Sequence, residues 1–366
     1  MKFLAATSHA HATPDRTAVL MVNLGTPAAP TRAAVHAYLE EFLLDPRVVE
    51  VPRVIWWPLL KGAILPFRSG ASAERYAAIW THEGSPLLAN SERQQRSLMA
   101  ELQKRGIEVD LALAMRYGQP SVPMVLEGLR RSKVARLLVV PMYPQYSATT
   151  TGSAFDAISR VLEQTRNLPE LRWIRSYADD PGYIDALRRS VRMHWDAHGR
   201  GNRLVMSFHG LPRRNLDLGD PYHCECVKTG RLLAESLDLQ SEEFAITFQS
   251  RFGRARWLEP YTVDVLRKFA REKVGRVDVI CPGFTADCLE TLEEIAIDGR
   301  RVFLTEGGRE FHTIACLNDS PRFISALADL IERHAHGWPV LAEDARERQA
   351  KAQDSFSRAR AMGAGR

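Results

Sequence analysis

A chain of 366 residues, 45% apolar and 25% charged, can bury more than one core and has the balance of an ordinary globular protein. Its net charge of +5 is mild, and no dense Lys/Arg block with interleaved aromatics argues for nucleic acid. The basic excess suits an anionic membrane surface or a substrate that bears carboxylates.

In chain order, residues 1–16 read as a flexible tail with too little apolar length for a secretory signal, which points to the cytoplasm and leaves peripheral membrane contact open. Apolar runs at 18–24, 109–114, 136–142 and 171–174 read as strands, and runs at 203–208, 244–248, 277–281 and 311–316 repeat the pattern. Most are continuous rather than alternating, as expected for strands of a parallel sheet covered on both faces. Helical spacing appears between them at 91–105, 122–132, 229–237 and 261–273. The alternation predicts an α/β fold of two similar doubly wound, Rossmann-like parallel-sheet domains facing a cleft, at 17–177 and 178–335. The junction Tyr177-Ala178-Asp179-Asp180-Pro181-Gly182 has turn chemistry.

An insertion at 38–80 interrupts the first domain. It carries Trp56 and Trp57 in a segment broken by Pro58 and Pro66. That segment is core packing or an apolar lip over a flat ligand; its breaks argue against a central helix and favour the lip. Residues 137–155 are uncharged but hold Pro141, Pro144 and many hydroxyls, so they read as a strand and a loop rather than a membrane span. The tail at 343–366 reads as flexible, a frayed helix or disorder, with an apolar face too poor for membrane binding.

The five cysteines are odd in number, which argues against a disulfide framework. Cys224 and Cys226 form C-x-C, and Cys281 and Cys288 are too far apart for a common metal motif, so all five read as reduced thiols. Asn23-Leu24-Gly25-Thr26-Pro27 resembles the start of a phosphate loop but lacks its glycine spacing and lysine, and Gly152-Ser153 is not set in a nucleophile elbow. Nicotinamide and serine-hydrolase chemistry therefore lack support.

Two segments hold the chemistry. Ser207-Phe208-His209-Gly210-Leu211-Pro212 puts a histidine just past a buried strand, where open α/β sheets build sites. Asp287, Glu290 and Glu294 follow another strand at spacings that share one face of an α-helix, with Glu293 pointing elsewhere. Acids crowded on one face repel, and a cation or shared protons relieve that. An imidazole beside carboxylates accepts protons or holds a divalent metal.

These two segments resemble ferrochelatase. The resemblance extends over roughly residues 17–335, through Val22-Asn23-Leu24-Gly25-Thr26-Pro27, Tyr38-Leu39-Glu40-Glu41-Phe42-Leu43, Asp45-Pro46-Arg47-Val48, Gly84-Ser85-Pro86-Leu87, Met115-Arg116-Tyr117-Gly118, Tyr143-Pro144-Gln145-Tyr146-Ser147 with Thr150-Thr151-Gly152-Ser153, Gln249-Ser250-Arg251, Trp257-Leu258 and Cys316-Leu317-Asn318. It implies insertion of Fe2+ into protoporphyrin IX, the terminal step of heme synthesis, by a pocket that bends the ring. His209 would accept pyrrole protons and could also ligate iron. Glu290 would bind or deliver the metal, with Glu294 and Asp287 continuing an acidic path. Arg68, Tyr76 and Ser85 fall at positions that contact porphyrin propionates, Leu24 would press on the macrocycle, and Arg116 and Tyr117 would line the opposite wall. Leu24 stands where relatives that use coproporphyrin resemble a pattern with Tyr, which favours protoporphyrin. Iron is a substrate, no cofactor is required, and the cysteine cluster that holds an iron–sulfur centre in animal relatives has no counterpart after Cys316. The competing expectations are a chelatase for another ring or metal, such as coproporphyrin III or cobalt, and a non-catalytic porphyrin or heme binder.

Overall fold

The computed structural model describes residues 3–4 and 12–363. The expected tail at 1–16 lies largely outside them, as do the last three residues. Strand β1 (Arg16–Thr26) leads through α1 (Arg32–Leu43) to a helical run made of α2 (Arg53–Leu59), a π-helical turn (Leu60–Ile64) and α3 (Leu65–Ile79). Then follow α4 (Pro86–Lys104), β2 (Asp110–Gly118), α5 (Val122–Arg131), β3 (Val134–Pro141), a π-helical turn (Ala148–Gly152), α6 (Ser153–Leu162) and β4 (Glu170–Trp173). The second set is α7 (Pro181–His198), β5 (Arg203–His209), α8 (Arg213–Asp217), α9 (Tyr222–Ser236), β6 (Phe244–Gln249), α10 (Thr262–Arg271), β7 (Arg276–Ile280), a π-helix (Glu290–Gly299), α11 (Arg300–Thr305), β8 (Glu310–Thr313) and α12 (Pro321–Ala335). A last helix, α13 (Ala342–Ala361), is the form taken by the described part of the C-terminal tail.

All eight expected strands form, in two four-stranded parallel sheets ordered β2-β1-β3-β4 and β6-β5-β7-β8. Successive residues of β1 and β5 enter opposite clusters, as side chains on a strand must. Val19 and Met21, with Leu204 and Met206, join one core shared by both sheets and by α4, α7, α9 and α12. Ala18, Leu20 and Val22 pack outward under α5 and α6, and Val205 and Val277 pack outward under α10 and α11. The molecule is therefore layered helix–sheet–helix–sheet–helix, and the central helical layer welds the halves together.

The insertion departs from expectation. Residues 53–79 are helical nearly throughout, despite Pro58 and Pro66. The intervening π turn already shifts the hydrogen-bond ladder, and Pro66 falls in the first turn after it, where a missing N–H costs little. Leu60 and Leu65 anchor the run against Leu43. Trp56 donates its Nε1–H to Leu43 O at 2.7 Å. Val54, Ile55, Trp57 and Phe67 are exposed instead. Among the described residues, no helix is long and apolar enough to cross a membrane.

Candidate active site

His209 is the last residue of β5, at the point where the chain order reverses between β5 and β7. Its Nδ1 lies 2.6 Å from Gly210 O. A carbonyl only accepts, so Nδ1 carries a proton, and in the neutral ring the lone pair is on Nε2. Gly210 is obligatory here: a Cβ would lie 2.5 Å from Gln249 O, which already accepts Gly210 N–H at 2.8 Å. The Phe284 ring stands 6.4 Å from the imidazole, and Phe284 and Leu24 share an apolar cluster with Leu87, Ala286 and Cys288. Leu24 and His209 are thus joined by one apolar wall.

The acidic segment is a π-helix, not the α-helix its spacing suggests. Its wider turn changes which acids align. In register, His209 is paired with Gln249 at the end of β6. Gln249 Nε2 donates to Glu290 O at 2.9 Å, and the next residue, Ser250, donates from N and Oγ to the two Glu294 oxygens, each at 2.6 Å. Ser250 holds φ +64, a strained value for a serine that this double contact fixes. The end of β6 thereby ties the Glu290 main chain and the Glu294 carboxylate to the carboxyl end of β5, where His209 lies.

Asp287 does not share their helix face. It precedes the helix and accepts from Thr291 Oγ1 (3.1 Å), Cys316 N (3.2 Å) and Asn318 Nδ2 (2.7 Å). Those bonds pin the loop after β7 to the segment after β8. Glu293 turns toward the insertion and pairs with Arg75 at 3.5 Å. Burial raises its pKa above the ordinary carboxylate value, and the Arg75 charge only partly offsets that.

The insertion and first sheet form the facing wall. Tyr38 and Tyr76 meet edge-on at 6.4 Å. Burial pushes both phenols well above their ordinary pKa; the Glu290 charge adds to this, directly after burial for Tyr76 and after Tyr76 itself for Tyr38. Both stay protonated beside Glu290. Leu289 packs against the Tyr76 cluster. Ser85 and Thr26 share a hydroxyl–hydroxyl bond of 2.7 Å. Arg68 lies over the Phe252 ring at 4.2 Å, reaching from α3 to the loop after β6. Burial, and then the neighbouring Arg75 charge, lowers its pKa.

Arg116 and Tyr117 are engaged elsewhere. Arg116 is ion-paired to Asp45 and donates from Nε to Ser153 O (3.0 Å) and Oγ (2.6 Å), while Tyr117 OH donates to the same Asp45 oxygen at 2.8 Å. The Asp45 side chain is 2% exposed. Burial works against its charge, but bonds from Ser153, Arg47 N and Tyr117, with the Arg116 charge, outweigh burial and hold its pKa below the ordinary value. This network closes off the end of β2. Sequence reasoning left Asp45, Ser153, Tyr38, Gln249 and Ser250 without roles, although all five lie in motifs that resemble the family. A buried carboxylate calls for a cation, but nothing in the sequence says which.

A histidine lone pair, an acidic helix tied to the same strand end and an apolar wall at the switch point of a parallel sheet define an α/β metal chelatase. Its fold is similar to that of SirB from Bacillus subtilis with Fe3+, at TM-score 0.51 and 14% identity over 93% of this chain and 98% of that one. The sirohydrochlorin chelatase SirB from Bacillus subtilis subspecies spizizenii in complex with cobalt also gives TM-score 0.51, at 11% identity over 88% and 97%. Residues 16–335 match the ferrochelatase family. Ferrochelatases of Herminiimonas arsenicoxydans and Janthinobacterium sp. (strain Marseille) are 56% and 54% identical over 366 residues, the whole of each chain. That of Azoarcus sp. (strain BH72) is 57% identical over 337 residues, 92% of this chain and 93% of its own. The chain belongs to the ferrochelatase family: it is an enzyme of heme biosynthesis that inserts ferrous iron into a porphyrin.

Proposed function

We propose that the porphyrin is protoporphyrin IX and that His209 Nε2 takes its pyrrole protons. The observation behind this is the Nδ1 contact to Gly210 O, which leaves Nε2 of the neutral ring as the base, at the strand end where Gln249 holds the Glu290 main chain and Ser250 the Glu294 carboxylate. A flat porphyrin hides its nitrogen lone pairs from an approaching ion. A pocket that bends the ring exposes one, and about 1–5 kcal/mol of such strain is within reach of binding energy. Two protons leave, Fe2+ enters, and the metal stays ferrous, so no redox cofactor is needed. Glu290 steers the cation and relays protons; Glu294, held by Ser250, continues that path. Asp287 serves by clamping the loop.

Substrate choice rests on carboxylates. Protoporphyrin IX has two and coproporphyrin III has four. An unpaired buried carboxylate costs several kcal/mol. Arg116 is already spent on Asp45, whereas Arg68, reaching over the Phe252 ring, offers a cation at one edge, with Tyr76 and Ser85 as further propionate partners. The exposed side chains of Val54, Ile55, Trp57 and Phe67 suit vinyl groups at another edge. The same rim is where a cytoplasmic enzyme would touch a membrane surface. Anaerobic incubation with Fe2+ and either porphyrin, followed by absorption, tests this. A clear kcat/KM preference for protoporphyrin IX is expected, and equal or better use of coproporphyrin III overturns the substrate choice.

A further inference from the structure

The second sheet carries another group of ligating side chains, far from His209. Asp278 on β7 and His312 on β8 are register partners across the sheet. His194 comes down on them from α7. One ligand atom from each of the three lies within 4.8 Å of the others. His194 Nε2 is 4.0 Å from Asp278 Oδ1. That is too long for a hydrogen bond, and Nε2 is buried with no partner. A buried polar atom without a partner needs an explanation, and an ion is one.

The surroundings favour a cation that binds nitrogen. Asp278 is 1% exposed, and its Oδ2 is held by Trp195 Nε1 at 2.7 Å and Gly201 N at 2.8 Å. Those two donors fix the carboxylate and aim Oδ1 toward the imidazoles, as an outer shell does around a metal ligand. Burial lowers the His194 pKa; Asp278 opposes this, while His198, His312 and Arg276 add to it. Arg276 Nε also donates to Oδ1, at 2.9 Å. Oδ1 has a second lone pair, so the guanidinium and a metal can share it. Metal–ligand bonds of about 2.0–2.2 Å put tetrahedral neighbours roughly 3.3 Å apart, so the 4.0 Å His194–Asp278 spacing closes with a shift under about 1 Å.

We propose that His194, Asp278 and His312 form a second metal site, for a divalent cation of borderline softness such as Zn2+, Co2+ or Fe2+. Bound there, the ion ties α7 to β7 and β8. The site takes no part in insertion. Asp278 is level with Leu204 at the start of β5. His209 is five residues further on, roughly 16 Å away at about 3.3 Å per residue.

The test starts from a His209→Ala, Glu290→Gln protein, which lacks the base and the cation-steering carboxylate proposed for the reaction. Titrated anaerobically with Co2+, it should take up one equivalent saturably, with the visible spectrum of histidine-bound Co2+, and Zn2+ should displace it. Adding His194→Asn and His312→Gln, which keep polar groups of similar size, should weaken that binding by roughly 100-fold or more, beyond what losing an outer-shell partner costs. In the otherwise unsubstituted enzyme the same two changes should leave the rate of iron insertion unaltered. A further readout needs no substitution: Zn2+ should protect His312 from diethylpyrocarbonate, scored by peptide mass spectrometry. Absence of saturable Co2+ uptake in the starting protein, unchanged affinity after the two histidine changes, or unprotected His312 would each overturn the site.

Discussion

β1 and β5 hold the same central place in their sheets, and each has a glycine at its carboxyl end, Gly25 within β1 and Gly210 just past β5, pressed against the neighbouring strand. A Cβ at Gly25 would fall 1.8 Å from Tyr117 O, and one at Gly210 would fall 2.5 Å from Gln249 O. The third strand of each sheet leads to a π-helical segment, Ala148–Gly152 in one half and Glu290–Gly299 in the other. From there the halves diverge. At the first sheet's carboxyl end, Arg116, Tyr117 and Ser153 all converge on Asp45, and every charge is spent. At the second, Gln249 holds the Glu290 main chain, Ser250 holds the Glu294 carboxylate, and His209 keeps a nitrogen without a partner among the described residues. The shared topology supplies a crevice twice. What sets the second apart is a histidine nitrogen without a partner beside acids held by the end of β6 rather than neutralised by a buried cation.

Substitutions can break or sharpen that contrast. The largest effect is expected from His209→Ala, with turnover down at least roughly 1000-fold, within the range for losing a general base. Glu290→Gln keeps the size but loses the charge, and should cost roughly 100-fold in kcat, with Glu294→Gln milder because its carboxylate also serves Ser250.

In the first half the effect should move from rate to stability. Asp45→Asn leaves Arg116 buried without its counter-charge and should cost about 3–5 kcal/mol in denaturant unfolding, while the folded fraction keeps its kcat. The pH dependence follows in sign. A carboxyl with a depressed folded pKa stabilises the fold above its unfolded value, and that contribution is lost as pH falls through the folded one. Acidification should therefore destabilise the wild type more than Asp45→Asn. A large kcat loss in folded Asp45→Asn would erase the contrast between the halves.

Smaller effects should come from the insertion. Arg68→Ala should raise the porphyrin KM about tenfold with kcat nearly kept, the worth of one charge-assisted hydrogen bond of about 1.5 kcal/mol. Glu293→Gln should change least. Its carboxyl already resists ionisation, and its partner Arg75 is mostly exposed, so stability should shift by less than about 1 kcal/mol. If Glu293→Gln proves as damaging as Glu290→Gln, the acids are assigned the wrong way round.

The strands were legible because runs such as 203–208 and 277–281 are buried on both faces and leave a continuous apolar record. His209 was legible because it ends such a run. The π-helix was not: an acidic, proline-free stretch reads as α, and only its contacts with Ser250 and Arg75 reveal which acid faces where. The helix through Pro58 and Pro66 was hidden by residues that normally break one. The Asp45–Arg116 pair spans 71 residues, and long-range pairing leaves no local trace. Asp278 and His312 meet only through strand register, for the same reason.

The central claim is that the second half performs the proton transfer and that His209 acts on chemistry rather than on binding. Protoporphyrin IX can be bound to wild type and to His209→Ala, and Fe2+ then added anaerobically by rapid mixing while a single turnover is followed by absorption. The account predicts that the variant binds porphyrin with near-normal affinity and then fails to metalate it on the wild-type timescale. Metalation of the bound porphyrin at a near-wild-type rate in folded His209→Ala protein would contradict it.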